Sequence, residues 1–149
     1  KWLGLPGVAI ASDGIPPLGI GAIEADLDEL PNVHPRAAGS YAKALRLARE
    51  HDLDLMAVLA QTSWVPASGL ARLGLASMAE RGRVQRGAVA DLVVFDPNTV
   101  TDHSTYANGN QLATGFKAVL VAGELIVEDD REKTDKTPGQ AIRFSGSGP

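Results

Sequence analysis

Side chains able to do chemistry gather near the start of the chain: Asp13-Gly14, then His34-Pro35-Arg36. A carboxylate transfers protons or binds metal, an imidazole does either, and a planar guanidinium grips a carboxylate through two parallel hydrogen bonds. Residue types alone leave other readings open. Asp-Gly after an apolar run is a common turn pair. His34, beside a proline in a long loop, is a pocket wall, a metal ligand or simply exposed. Arg36 is a surface residue, a cap for a carbonyl, or a binder of carboxylates. No two of the three histidines, at 34, 51 and 103, sit at metal-ligand spacing. There is no cysteine, which excludes a thiol nucleophile, Cys-ligated zinc and a disulfide framework. The glycines form neither G-x-G-x-x-G nor a P-loop, so no nucleotide site is indicated.

The elements that must position these residues follow from local pattern. Val8-Ala9-Ile10-Ala11-Ser12 is a brief apolar run between Pro6-Gly7 and Asp13-Gly14, as expected of a fully buried strand. Residues 15 to 36 show little periodicity and hold Pro16, Pro17, Gly19, Gly21, Pro31 and Pro35, which predicts a long loop, functional or mobile. Ser40 is expected to cap a helix running to about His51, whose ring would meet the helix C-terminal dipole. Asp52 or Asp54 starts a second helix, which Pro66 should break. A third runs from Ala67 to Leu73 and stops at Gly74.

From about residue 80 the pattern turns to β. Arg81 to Gly87 reads as a turn or short twisted strand. Ala90-Asp91-Leu92-Val93-Val94-Phe95 reads as a strand closed by Asp96-Pro97, with Asp91 fixing a turn rather than reacting. Ala122-Gly123-Glu124 between two apolar runs predicts a hairpin. Residues 129 to 135 are charged and expected to be exposed, and 145–149 are expected to be a flexible tail.

Composition narrows the class. The chain has 149 residues, 44% hydrophobic and 21% charged, as in folded globular proteins. With 14 Lys and Arg against 18 Asp and Glu, the net charge of −4 gives no general attraction to nucleic acid or anionic lipid. Arg81, Arg83 and Arg86 lack interleaved aromatics and do not change that. No apolar run is long enough to span a membrane. The chain begins with Lys1 and is expected to be part of a longer protein; the cysteine-free sequence without a visible export signal suggests the cytoplasm.

Ser12-Asp13-Gly14, His34-Pro35-Arg36, the segment Arg81-Gly82-Arg83-Val84-Gln85-Arg86-Gly87-Ala88-Val89-Ala90-Asp91-Leu92-Val93-Val94-Phe95-Asp96-Pro97, and Val119-Leu120-Val121-Ala122-Gly123-Glu124 stand in a recognisable order. The chain resembles the C-terminal end of the amidohydrolase superfamily, over about Val8 to Arg143. The long glycine-containing segment is shared by many branches of that superfamily. Ser-Asp-Gly with a following His-Pro-Arg is narrower and is similar to the N-acyl-D-amino-acid deacylases, or D-aminoacylases. The stretch between Asp13 and His34 is longer and richer in Pro and Gly than is usual there.

The resemblance implies an α/β fold: the end of a (β/α)₈ barrel in residues 1–79, with Val8–Ser12 as its last strand, and the C-terminal part of a small β-domain in residues 80–144. It implies zinc-dependent hydrolysis of N-acyl-D-amino acids. Asp13 would be general base and acid at a strand end, and the one candidate metal ligand on this chain, since the His-x-His and bridging ligands of the superfamily are missing. A bound metal lowers the pKa of its water from 15.7 to about 7. Arg36 would hold the substrate's carboxylate, with His34 and Gly14 lining the pocket. The chain alone would be inactive, and the implied partner is the missing N-terminal part of the enzyme, in cis or as another chain. Standing alone, it should leave Leu45, Leu55, Val58 and Leu59 partly exposed and tend to associate. Two alternatives are a cyclic-amide hydrolase of dihydroorotase or hydantoinase type, which would not need Arg36, and a non-catalytic β-rich module.

Overall fold

The structure is a computed structural model that describes residues 2–15, 29–133 and 135–144. Most of the Pro/Gly-rich stretch and the expected tail at 145–149 lie outside the described residues. Three helices come first: α1 (Arg36–Glu50), α2 (Leu55–Thr62) and α3 (Trp64–Arg72), followed by a 3-10 turn at Ala76–Glu80. Strands β1 (Leu92–Phe95), β2 (Phe116–Val121), β3 (Glu124–Glu128) and β4 (Arg131–Glu132) form an antiparallel sheet in sequential order.

α1 starts four residues before Ser40. Pro35 stands at the N-cap position, and the ring Nδ1 of His34 accepts the Arg36 backbone N–H at 3.1 Å, so no serine cap is needed. Ser40 lies within the helix and donates its hydroxyl to the Arg36 carbonyl at 2.9 Å. Asp54 caps α2 as expected, its side chain accepting from Met56 N–H at 2.9 Å. The break after α2 falls at Ser63 rather than at Pro66. Pro66 sits in the first turn of α3, where its missing N–H would have no helical partner anyway. Gly74, at φ +99°, follows α3 in the left-handed conformation that ends helices.

The core joins both halves of the chain. Ala42, Ala44, Leu45 and Ala48 of α1 pack with Val58 of α2 and Val100, and Ile10, Phe95 and Phe116 close over them. Leu45 and Val58 are therefore buried rather than partly exposed, while Leu55 and Leu59 are half-buried, as expected. The exposed apolar side chains are others, chiefly Trp2, Ile15, Met56, Leu73 and Val84.

The run Val8–Ser12 forms no strand ladder among the described residues; instead Ile10 N–H donates to the Gln61 carbonyl at 2.9 Å. A buried parallel strand needs a neighbour on each side, and β1–β4 pair only among themselves. The hairpin over Ala122-Gly123 is as expected. Both residues have positive φ (+51° and +85°), the conformation of a two-residue turn that matches strand twist. Asp91 fixes that turn by accepting Ala122 N–H at 2.9 Å with one oxygen, and its other oxygen pairs with Arg81. The charged stretch after Glu128 is exposed, but it also folds back through Asp129-Asp130 to add β4.

A half-buried ion pair ties α1 to the loop after β1. Arg46 Nε donates to Asp102 Oδ1 at 2.7 Å, and the Asp102 side chain is only 9% exposed. Burial pushes the Asp102 carboxyl up, but the hydrogen bond and charge of Arg46, with a backbone hydrogen bond, outweigh it and hold the group below its ordinary value. A folded-state pKa below the unfolded one adds stability above the unfolded value, and this is lost as pH falls through the folded value. Arg46→Ala leaves the half-buried carboxylate without its cation and should cost about 1–3 kcal/mol at neutral pH. Urea unfolding would read this as a lowered midpoint, and the deficit should shrink as pH falls through the carboxylate range.

Candidate functional site

Asp13 follows a stretch that begins with two turns and that Gln61 holds against α2. Gln61 is buried: its Oε1 accepts Gly4 N–H at 2.7 Å, and its Nε2 donates to the Trp2 and Leu5 carbonyls at 3.1 and 3.0 Å. With the Ile10 bond to its carbonyl, one residue fixes the chain on the approach to Asp13. Sequence reasoning missed Gln61. The available signal was a lone polar residue three positions after Val58, on the buried side of α2.

Asp13 has φ +48°, a left-handed conformation that asparagine and aspartate tolerate better than most residues. Its side chain is 85% exposed. Gly14 N–H turns back to Ser12 Oγ at 3.2 Å. A Cβ on Gly14 would lie 3.0 Å from Ala37 Cα, so a larger residue would push this segment off α1. That close approach brings Asp13 beside the first residue of α1.

Arg36 Nη1 lies 3.3 Å from Asp13 Oδ2. At this exposure the pair contributes at most about 1 kcal/mol, because water screens it. Arg36 is less free than Asp13: its side chain is 39% exposed, and its Nε is buried and has no hydrogen-bond partner among the described residues. Only the exposed part of the guanidinium can meet an incoming anion, so the site holds a partly exposed cation beside an exposed carboxylate.

His34 is exposed, and its ring faces Tyr106 edge-on with centroids 5.0 Å apart, while its Nδ1 caps α1. Asp13, Gly14 and Arg36 come together; His34 reaches them through the backbone of Arg36. His103 stands apart, its Nε2 2.8 Å from Thr114 Oγ1, and His51 is the C-cap residue of α1. Arg81 belongs to the turn at Asp91, and Arg83 lies over the Trp64 ring at 5.0 Å. Among the described residues no group of three or more His, Cys, Asp or Glu side chains is placed to hold a metal ion. No described helix is long and apolar enough to cross a membrane.

No family model matches the chain. It is 33% identical over 146 residues to an N-acyl-D-aspartate deacylase of Alcaligenes xylosoxydans xylosoxydans, a match covering 94% of this chain and 26% of that protein. It is 40% identical over 117 residues to a D-aminoacylase of the same organism, covering 76% of this chain and 20% of the other. Among solved structures, the N-acyl-D-glutamate deacylase of Bordetella bronchiseptica, complexed with zinc and a phosphonate mimic of the tetrahedral intermediate, superposes with a TM-score of 0.67 at 33% identity. That match covers 95% of this chain and 26% of the other. The chain thus spans about a quarter of the length of the relatives it matches.

Proposed function

The chain belongs with the N-acyl-D-amino-acid deacylases of the amidohydrolase superfamily, as a portion of about a quarter of their length, and from that premise we propose that it serves the hydrolysis of N-acyl-D-amino acids. The observation that carries the reading is the apposition of Asp13 and Arg36. An exposed carboxylate stands beside a partly exposed guanidinium.

In this reading Arg36 takes the α-carboxylate of the substrate and fixes its orientation. That sets the acyl carbon against a water whose proton Asp13 accepts as the oxygen attacks. Asp13 then returns the proton to the nitrogen as the C–N bond breaks, because an amine anion is a poor leaving group. Gly14 lets the backbone turn away from the reacting atoms, and His34 forms the wall of the pocket near Tyr106.

The described residues do not fit a metal ion by themselves, since one carboxylate supplies too few ligands. Zinc, present in the Bordetella relative, would be held by residues outside this chain. The quarter-length match and the exposed Trp2, Leu73 and Val84 support a partner in the rest of the enzyme, in cis or as another chain. Residues 1–79 would then end a (β/α)₈ barrel, with Val8–Ser12 paired to strands outside this chain, and residues 80–144 would form its share of a β-domain.

The test is release of free amino acid by the zinc-loaded longer protein that carries this segment. Release from N-acetyl-D-amino acids but not from their L enantiomers is expected, with no release by the 149-residue chain alone. No release from either enantiomer by the longer protein would overturn the reading.

A further inference from the structure

We propose that Asn32 and Asn110 form a reciprocal clamp that positions Arg36 for its carboxylate, an inference that rests on the reading above. Asn110 Oδ1 accepts Val33 N–H at 3.0 Å, and its Nδ2 donates to the Leu30 and Pro31 carbonyls at 2.8 and 3.2 Å. Asn32 answers from the other side. Its Oδ1 accepts Gly109 N–H at 2.6 Å and its Nδ2 donates to the Tyr106 carbonyl at 3.1 Å. The bonds span 77 residues of sequence between Asn32 and Gly109. Gly109 is buried, and a Cβ there would overlap the Val33 carbonyl.

The clamp leads directly to the site. Val33 is followed by His34, whose ring meets Tyr106 of the clamping loop and whose Nδ1 holds the Arg36 backbone N–H. Residues 31–34 have no regular secondary structure of their own. Pro31 and Pro35 each lack a backbone donor, so side chains must supply the bonds that fix this segment. Two-point recognition of a carboxylate depends on where the guanidinium is held, and small displacements cost large factors. Asn32 and Asn110 are therefore positioning residues that act through Arg36.

The experiment is a double-mutant cycle on KM for an N-acetyl-D-amino acid, using the zinc-loaded longer protein. Asn110→Ala should raise KM roughly tenfold with a much smaller change in kcat, and Asn32→Ala should do the same. In the Arg36→Ala background neither change should raise KM further, because the residue they position is gone. Asn32→Ala keeps the test decisive should Asn110→Ala fail to fold, which thermal melting would reveal. The clamp is overturned by an unchanged KM in the single variants, by equal loss of kcat, or by additive effects in the double variants. If Arg36→Ala itself leaves KM unchanged, the carboxylate reading falls and the clamp with it, an outcome distinct from the others.

Discussion

Replacing Asp13 by asparagine in the longer protein is expected to lower kcat by about two to four orders of magnitude, the usual worth of a positioned general acid–base. Asparagine keeps the volume and tolerates the left-handed backbone at φ +48°. It removes the negative charge, and with it both the ability to accept and return a proton and the ion pair with Arg36. That pair, at 3.3 Å and exposed, is worth at most about 1 kcal/mol, so the melting temperature should hardly move and KM should move far less than kcat. A loss of activity that tracked a loss of stability would place Asp13 among the structural turn residues. Steady-state kinetics alongside a melting curve separates the two outcomes.

Arg36→Ala is expected to lower kcat/KM by about two to three orders of magnitude, expressed mainly in KM. Charge-assisted hydrogen bonds are worth about 1.5–3 kcal/mol each, and a forked guanidinium offers two to one carboxylate. Arg36→Lys should recover only part of the loss, because an ammonium binds as a point charge and lacks the planar fork. The same substitution also bears on the alternative of a cyclic-amide hydrolase. A neutral cyclic amide has no carboxylate for Arg36 to grip, so its turnover would be little affected. Comparing the Arg36→Ala effect on an N-acetyl-D-amino acid with that on a hydantoin measures this directly.

The parts of the fold legible in the sequence were those whose cause is local. Asp54 at the start of α2, Gly74 after α3 and the Ala122-Gly123 turn each depend on residues within a few positions. Asp91 is a turn residue as read, but the turn it fixes is at Ala122, 31 residues on, and its other partner is Arg81, ten residues before it. The start of α1 was misplaced because a histidine ring took the role that a serine hydroxyl usually plays. The turn at Asp129-Asp130 lacks the glycine that marks such turns, which hid β4.

Long-range placement was less legible. The apolar run at Val8–Ser12 has strand composition, but composition does not say where the pairing strands are. At the site, Asp13, Gly14 and Arg36 were picked out through their motifs, and the contact between Asp13 and Arg36 adds their apposition. Gln61, Asn32 and Asn110 were not picked out. Asn32 and Asn110 stand in ordinary polar loops and Gln61 in an apolar helix, and the importance of each comes from backbone partners 56 to 80 residues away.

The most direct measurement is a crystal structure of the longer, zinc-loaded protein bound to a phosphonate analogue of an N-acyl-D-amino acid. The account predicts the Asp13 carboxylate within about 3 Å of the phosphonate oxygen that stands for the attacking water. It also predicts that the Arg36 fork has left Asp13 for the carboxylate of the analogue. An Asp13 side chain still directed into bulk water, with the analogue's carboxylate held by some other cation, would contradict it.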